Sequence, residues 1–89
     1  MFTILVAEDD RAINTMIRTK LKQESFTVYS VTNGEEALSI MEEYRIDLLI
    51  SDIMMPDMDG YQLVKALRET NQTLPILMVT AKSQLEALE

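Results

Sequence analysis

Four side chains capable of chemistry stand where apolar runs end. Glu8 and Asp9 follow Thr3-Ile4-Leu5-Val6-Ala7, Asp52 follows Leu48-Leu49-Ile50-Ser51, and Thr80 follows Ile76-Leu77-Met78-Val79. Three carboxylates at one place repel one another: two charges about 4 Å apart cost roughly 1 kcal/mol in water and about 4 kcal/mol at an effective dielectric of 20. Such a group needs a proton or a cation. Magnesium suits it, because it takes oxygen ligands, keeps several waters and pairs one or two carboxylates with a phosphoryl oxygen. The chain has no histidine and no cysteine, which argues against zinc or copper. An aspartate beside a hard divalent ion can attack phosphorus and form an acyl phosphate. Asp52 is the best candidate for that nucleophile, and the Thr80 hydroxyl is positioned to donate to an attached phosphoryl oxygen. Taken singly, these residues say little: Glu8-Asp9-Asp10 reads as a solvated loop with one member capping a helix, and Asp57 and Asp59 as loop and cap residues. The signal lies in their joint placement.

The elements that must position these residues come in four cycles. Strands are predicted to start near residues 3, 26, 46 and 74. Each of the first three is followed by a stretch of helical periodicity. Ile13, Met16, Ile17 and Leu21 predict a helix from Arg11 to Gln23, Ala37, Leu38, Ile40 and Met41 a second, and Leu63, Val64 and Leu67 a third between Tyr61 and Glu69. A further helix is expected from Ser83 to Glu89. Asn33-Gly34 reads as a helix start with Glu35 and Glu36 in the first turn, in preference to a hairpin, because no strand alternation follows it. Asp59 is expected to cap the third helix. Alternating strands and helices with connections of this length build right-handed βαβ units and a doubly wound parallel sheet of the α/β class. In such a sheet ligands bind beyond the carboxyl ends of the strands, where strand order reverses, and that is where the four residues fall.

Eighty-nine residues are one small domain's worth of chain, 1–89, and the net charge of -7 argues against direct contact with nucleic acid or an anionic membrane surface. The absence of cysteine fits a reducing cytosol. Met1 to Ala7 is too short to span a membrane and lacks the basic start of a signal peptide. A cytoplasmic chain without a membrane partner is expected.

Three segments together resemble the receiver domain of two-component response regulators, of flavodoxin/CheY-like fold. These are Ile4-Leu5-Val6-Ala7-Glu8-Asp9-Asp10, Leu48-Leu49-Ile50-Ser51-Asp52-Ile53-Met54-Met55-Pro56-Asp57-Met58-Asp59-Gly60 and Leu74-Pro75-Ile76-Leu77-Met78-Val79-Thr80-Ala81. The resemblance implies that Asp52 is phosphorylated from a sensor histidine kinase and that Asp9 and Asp52 bind Mg2+ directly. It adds the Met54 backbone carbonyl as a third ligand and Glu8 acting through water. It further implies Thr80 as a switch hydroxyl beside the small Ala81, and Met54 and Lys82 as residues that tune phosphoryl lifetime. Kinase docking is expected at the start of the first helix, near Asp10, Ile13 and Asn14. Such a domain is a signalling module, not an enzyme, and its style is that of receivers joined to transcription-regulating output domains.

Two departures accompany the likeness. Ser25 stands before Phe26 where the family usually has glycine, and a left-handed helix end there costs a non-glycine residue on the order of 1 kcal/mol. The fifth strand and helix of family receivers, with their phosphoryl-binding lysine, are not among these residues; Lys82 is too close to Thr80 to be that lysine. The expectation is a C-terminally truncated receiver, or one whose missing half comes from a second copy. The competing readings are a metal-binding interaction fragment that does not switch, and a metal-dependent phosphatase-like hydrolase; the latter would need a second general acid and a substrate-covering cap.

Overall fold

The computed structural model describes residues 1–55, 58–70 and 73–79. The elements run β1 (Thr3–Ala7), α1 (Arg11–Gln23), β2 (Thr27–Val31), α2 (Gly34–Glu43), β3 (Leu48–Asp52), α3 (Gly60–Thr70) and β4 (Ile76–Val79). All strand pairs are parallel and the order across the sheet is β2-β1-β3-β4. The chain therefore moves from β1 to one side, crosses back over it, and continues on the other side. Order reverses between β1, which Glu8 follows, and β3, which ends in Asp52.

Alternation along the two central strands feeds two apolar layers. Leu5, Ala7 and Leu49 join Val31, Ala37, Leu63 and Leu67 beneath α2 and α3. Ile4, Val6 and Ile50 pack with Ile17 and Leu21 of α1 and with Phe26 and Val28 on the opposite face. Leu5, Val6 and Leu49 are wholly buried, each worth about 1.5–3 kcal/mol of removal from water. Covering on both faces is the reason these strands read as unbroken apolar runs.

Three strands begin one or two residues later than the sequence suggests. Phe26 is used to end α1, as described below. Ile46 and Asp47 precede β3, where the Asp47 N–H donates to the Thr3 carbonyl (2.8 Å) and its carboxylate accepts the Thr3 N–H (2.8 Å), closing the start of the sheet. Pro75 has no N–H to give, and only its carbonyl joins the ladder, accepting from Leu49 at 3.1 Å. The helix expected over 83–89 lies outside the described residues.

The caps follow the sequence signals. The Asp10 carboxylate accepts the N–H groups of Ala12 and Ile13, and Asn33 accepts that of Glu36. Asp59 and Gln62 exchange bonds, Gln62 N–H to Asp59 at 2.9 Å and Asp59 N–H to Gln62 at 3.0 Å, a capping box at the start of α3. At the other end of α1, the Phe26 N–H reaches the Leu21 carbonyl (3.2 Å) and the Ser25 N–H the Lys22 carbonyl (3.0 Å). This is a Schellman ending, with Phe26 and Leu21 in the same apolar layer. It forces Ser25 to φ 70°, the positive-φ non-glycine residue of the described chain. Ser25→Gly is therefore expected to stabilise the fold by about 1 kcal/mol, read as a higher denaturation midpoint; an equal or lower midpoint would contradict the strain assigned to Ser25.

Candidate functional site

The register of β1 on β3 builds the site. Ala7 pairs with Ser51, so the residues that follow, Glu8 just past β1 and Asp52 at the end of β3, fall side by side at the carboxyl edge of the sheet. Both are 3% exposed. Asp9 lies one residue further on and is exposed; carboxylate oxygens of Glu8, Asp9 and Asp52 all fall within 4.8 Å of one another. The pairing of Asp52 with Val79 brings the end of β4 alongside. The remaining switch and lifetime residues, Thr80, Ala81 and Lys82, lie outside the described residues, as do Pro56 and Asp57.

Backbone donors hold the carboxylates in place. The Asp10 N–H donates to Glu8 Oε2 at 3.0 Å, and the Met54 N–H donates to Asp52 Oδ1 at 3.2 Å. Met54 itself is half exposed. Behind it, the Gly60 N–H donates to the Ile53 carbonyl (2.9 Å). A Cβ on Gly60 would stand 2.5 Å from the Asp52 carbonyl oxygen and 2.5 Å from Met78 Cε. The methionine tip can give way, but the backbone oxygen cannot, so glycine is needed for α3 to start this close to Asp52.

Burial pushes the Glu8 carboxyl up from 4.5 to about 8; the Asp10 backbone hydrogen bond works against this, and the neighbouring Asp52 and Asp9 carboxylates add to it. The group thus meets the two conditions of a hard-cation site: all its donors are carboxylate oxygens, and without a counter-charge one of them keeps its proton. These residues fit Mg2+.

One expectation is corrected. Asn14 does not face a docking partner. It is 6% exposed, and its side-chain amide donates inward to the Glu8 carbonyl (3.1 Å) and the Val31 carbonyl (2.9 Å). The spacing 14, 17, 21 places it on the inward stripe with Ile17 and Leu21, a signal visible in the sequence. Asp10 is exposed and Ile13 partly so.

Comparison with known proteins decides the family, for residues 4–89 match the model of the response regulator receiver domain. The chain belongs to that family. The receiver domain is 42% identical over 82 residues to the transcriptional regulatory protein CpxR of Escherichia coli, covering 92% of this chain and 34% of CpxR. It thus spans about a third of the length of the curated relatives it matches. Among solved structures it resembles the response regulator TrrA of Thermotoga maritima in complex with Mg2+ and BeF, with TM-score 0.87 and 31% identity over 98% of this chain and 76% of that one. It also resembles a complex of the histidine kinase ThkA with TrrA, with TM-score 0.85 and 32% identity over 91% of this chain and 70% of that one. The receiver is a two-component signalling domain of parallel CheY-like fold, and the hydrolase and non-switching readings are not favoured. Among the described residues no helix is long and apolar enough to cross a membrane.

Two outcomes test the site. A carboxyl whose pKa is raised on folding stabilises the fold below its unfolded value, and that stability is lost as pH rises through the folded value. With no histidine to titrate between, the metal-free receiver should lose thermal stability as pH rises from 4.5 to about 8. Glu8→Gln should flatten that slope in scanning calorimetry. Gly60→Ala should lower stability by roughly 1–3 kcal/mol, the usual range for an overpacked contact, in denaturant titration.

Proposed function

We propose that this receiver takes a phosphoryl group onto Asp52 from the phosphohistidine of a sensor kinase, using Mg2+ held by Glu8, Asp9, Asp52 and the Met54 backbone carbonyl. The observation that carries this reading is the buried Asp52 carboxylate within 4.8 Å of two others at the point where strand order reverses. An Asp52 oxygen attacks phosphorus, the P–N bond to the kinase imidazole breaks, and the imidazole leaves with its electron pair. Bound Mg2+ supplies charge neutralisation for the transferring oxygens. The Met54 N–H on Asp52 Oδ1 orients the attacking carboxylate.

Once attached, the group is to be read by the Thr80 hydroxyl, with the small Ala81 beside it leaving access. By resemblance to the family, Met54 and Lys82 are the residues we assign to setting its lifetime, Lys82 lying outside the described residues. Asp10 and Ile13, at the outer start of α1, offer the kinase a surface. The likeness to TrrA, solved in complex with a histidine kinase and with Mg2+ and BeF, supports a kinase partner and a magnesium site for this chain. Likeness to regulators such as CpxR supports transcription as the regulated process; a cytoplasmic phosphorelay serving an output domain or a second copy of the chain is part of the same proposal.

Acetyl phosphate with Mg2+ is expected to add one phosphoryl group to the protein and none to Asp52→Ala, read by intact mass. Equal labelling of both, or none of the wild type, overturns the assignment. Met54→Asn, which replaces an apolar shield with a group able to hold water, should shorten the acyl-phosphate lifetime several-fold; an unchanged decay rate would reject the shielding role.

A further inference from the structure

Asn14 is the buried residue of α1, a helix whose apolar Ile13, Ile17 and Leu21 are each only partly covered. A helix that spends its most enclosed position on a carboxamide breaks the ordinary pattern. Asparagine is a poorer helix former than alanine or leucine, and a buried amide must find partners for its hydrogens. Local rules broken in this way point to a site that needs the residue.

The partners identify what is held. The Asn14 side-chain nitrogen donates both to the carbonyl of Glu8 and to that of Val31. The Glu8 N–H donates to the same Val31 carbonyl at 3.1 Å, and the Asn14 N–H donates to the Asp10 carbonyl at 2.8 Å. The turn from Glu8 to Asp10, which carries two of the three clustered carboxylates, is thus tied at both its ends to one residue and, through that residue, to the last residue of β2. Asp9, between the ties, is exposed and has no burial of its own to fix it.

We propose that Asn14 is a positioning residue for the acid pair: its amide clamps the Glu8 carbonyl to the end of β2 and so fixes where Glu8 and Asp9 present their carboxylates to Asp52. The proposal rests on the Mg2+ site described above but concerns a residue that touches neither metal nor phosphoryl group. Removing the two donors leaves the Glu8 carbonyl without its bond and lets the turn drift, and outer partners of metal ligands typically contribute about 10–100-fold to affinity when lost.

The test uses Asn14→Ala, and Asn14→Asp as a variant of the same shape that replaces donors by acceptors. Magnesium affinity is measured by calorimetry at a temperature where circular dichroism shows each variant folded, and exchange of the Glu8 and Asp10 amide hydrogens is followed in metal-free protein. Expected are an increase of about tenfold or more in the Mg2+ dissociation constant for both variants, with faster exchange at Glu8 and Asp10 than in the strands β1 and β3. Asn14→Thr, which keeps one O–H donor, should recover part of the affinity. A variant that is less heat-stable yet binds Mg2+ as wild type does, with exchange raised evenly over the sheet, overturns the positioning role. Should wild type itself fail to bind Mg2+, the metal reading falls. The amide exchange in metal-free protein then still decides whether Asn14 holds the turn.

Discussion

Pairing of the two central strands in one register is the constraint on which everything else depends. With Ala7 opposite Ser51, two strands that are apolar on both faces deliver Glu8 and Asp52 to the same edge, both almost wholly out of water. A slip of one residue would exchange the inward sets of β1 between the two apolar layers, so the register that protects the core is the one that crowds the acids. The fold does not choose between packing and chemistry, because one alignment sets both.

Crowding like charges is unfavourable, and the surrounding structure offsets it locally. Main-chain N–H groups from Asp10 and Met54 point at the two buried carboxylates, and such bonds strengthen when the acceptor is ionised. The close start of α3, possible because residue 60 lacks a side chain, keeps the end of β3 from moving away. Caps at Asp10, Asn33 and Asp59 fix where each helix begins. The stability held elsewhere, in layers such as Leu5–Leu49–Leu63 and Ile4–Val6–Ile50, is what allows one edge of the sheet to remain electrostatically unfavourable.

Much of this was legible in the sequence because it is local. Apolar runs ending in acids gave the strands, 3.6-residue spacing gave the helices, and Asn33 and Asp59 announced their starts. Even the awkward ending of α1 could be foreseen from a serine where glycine is usual, and it stands at φ 70°. What sequence reading missed depends on contacts between distant positions. The depth at which Glu8 lies comes from β2 and β3 flanking β1, and nothing in Glu8-Asp9-Asp10 distinguishes its first member from a solvated acid. Asn14 belongs to a helix start expected to be exposed, although its spacing from Ile17 and Leu21 faces it inward; the carbonyls of Glu8 and Val31 that it meets are 6 and 17 residues away. Gly60 reads as a turn residue until the Asp52 carbonyl is seen against it.

The raised Glu8 carboxyl also alters the electrical identity of the domain. The formal charge of -7 counts every acid as ionised, but burial and the neighbouring Asp52 and Asp9 push the Glu8 carboxyl up to about 8, which favours its protonated form at neutral pH. A partner approaching along the sheet's carboxyl edge therefore meets a less negative surface than the three clustered acids would present if all were ionised.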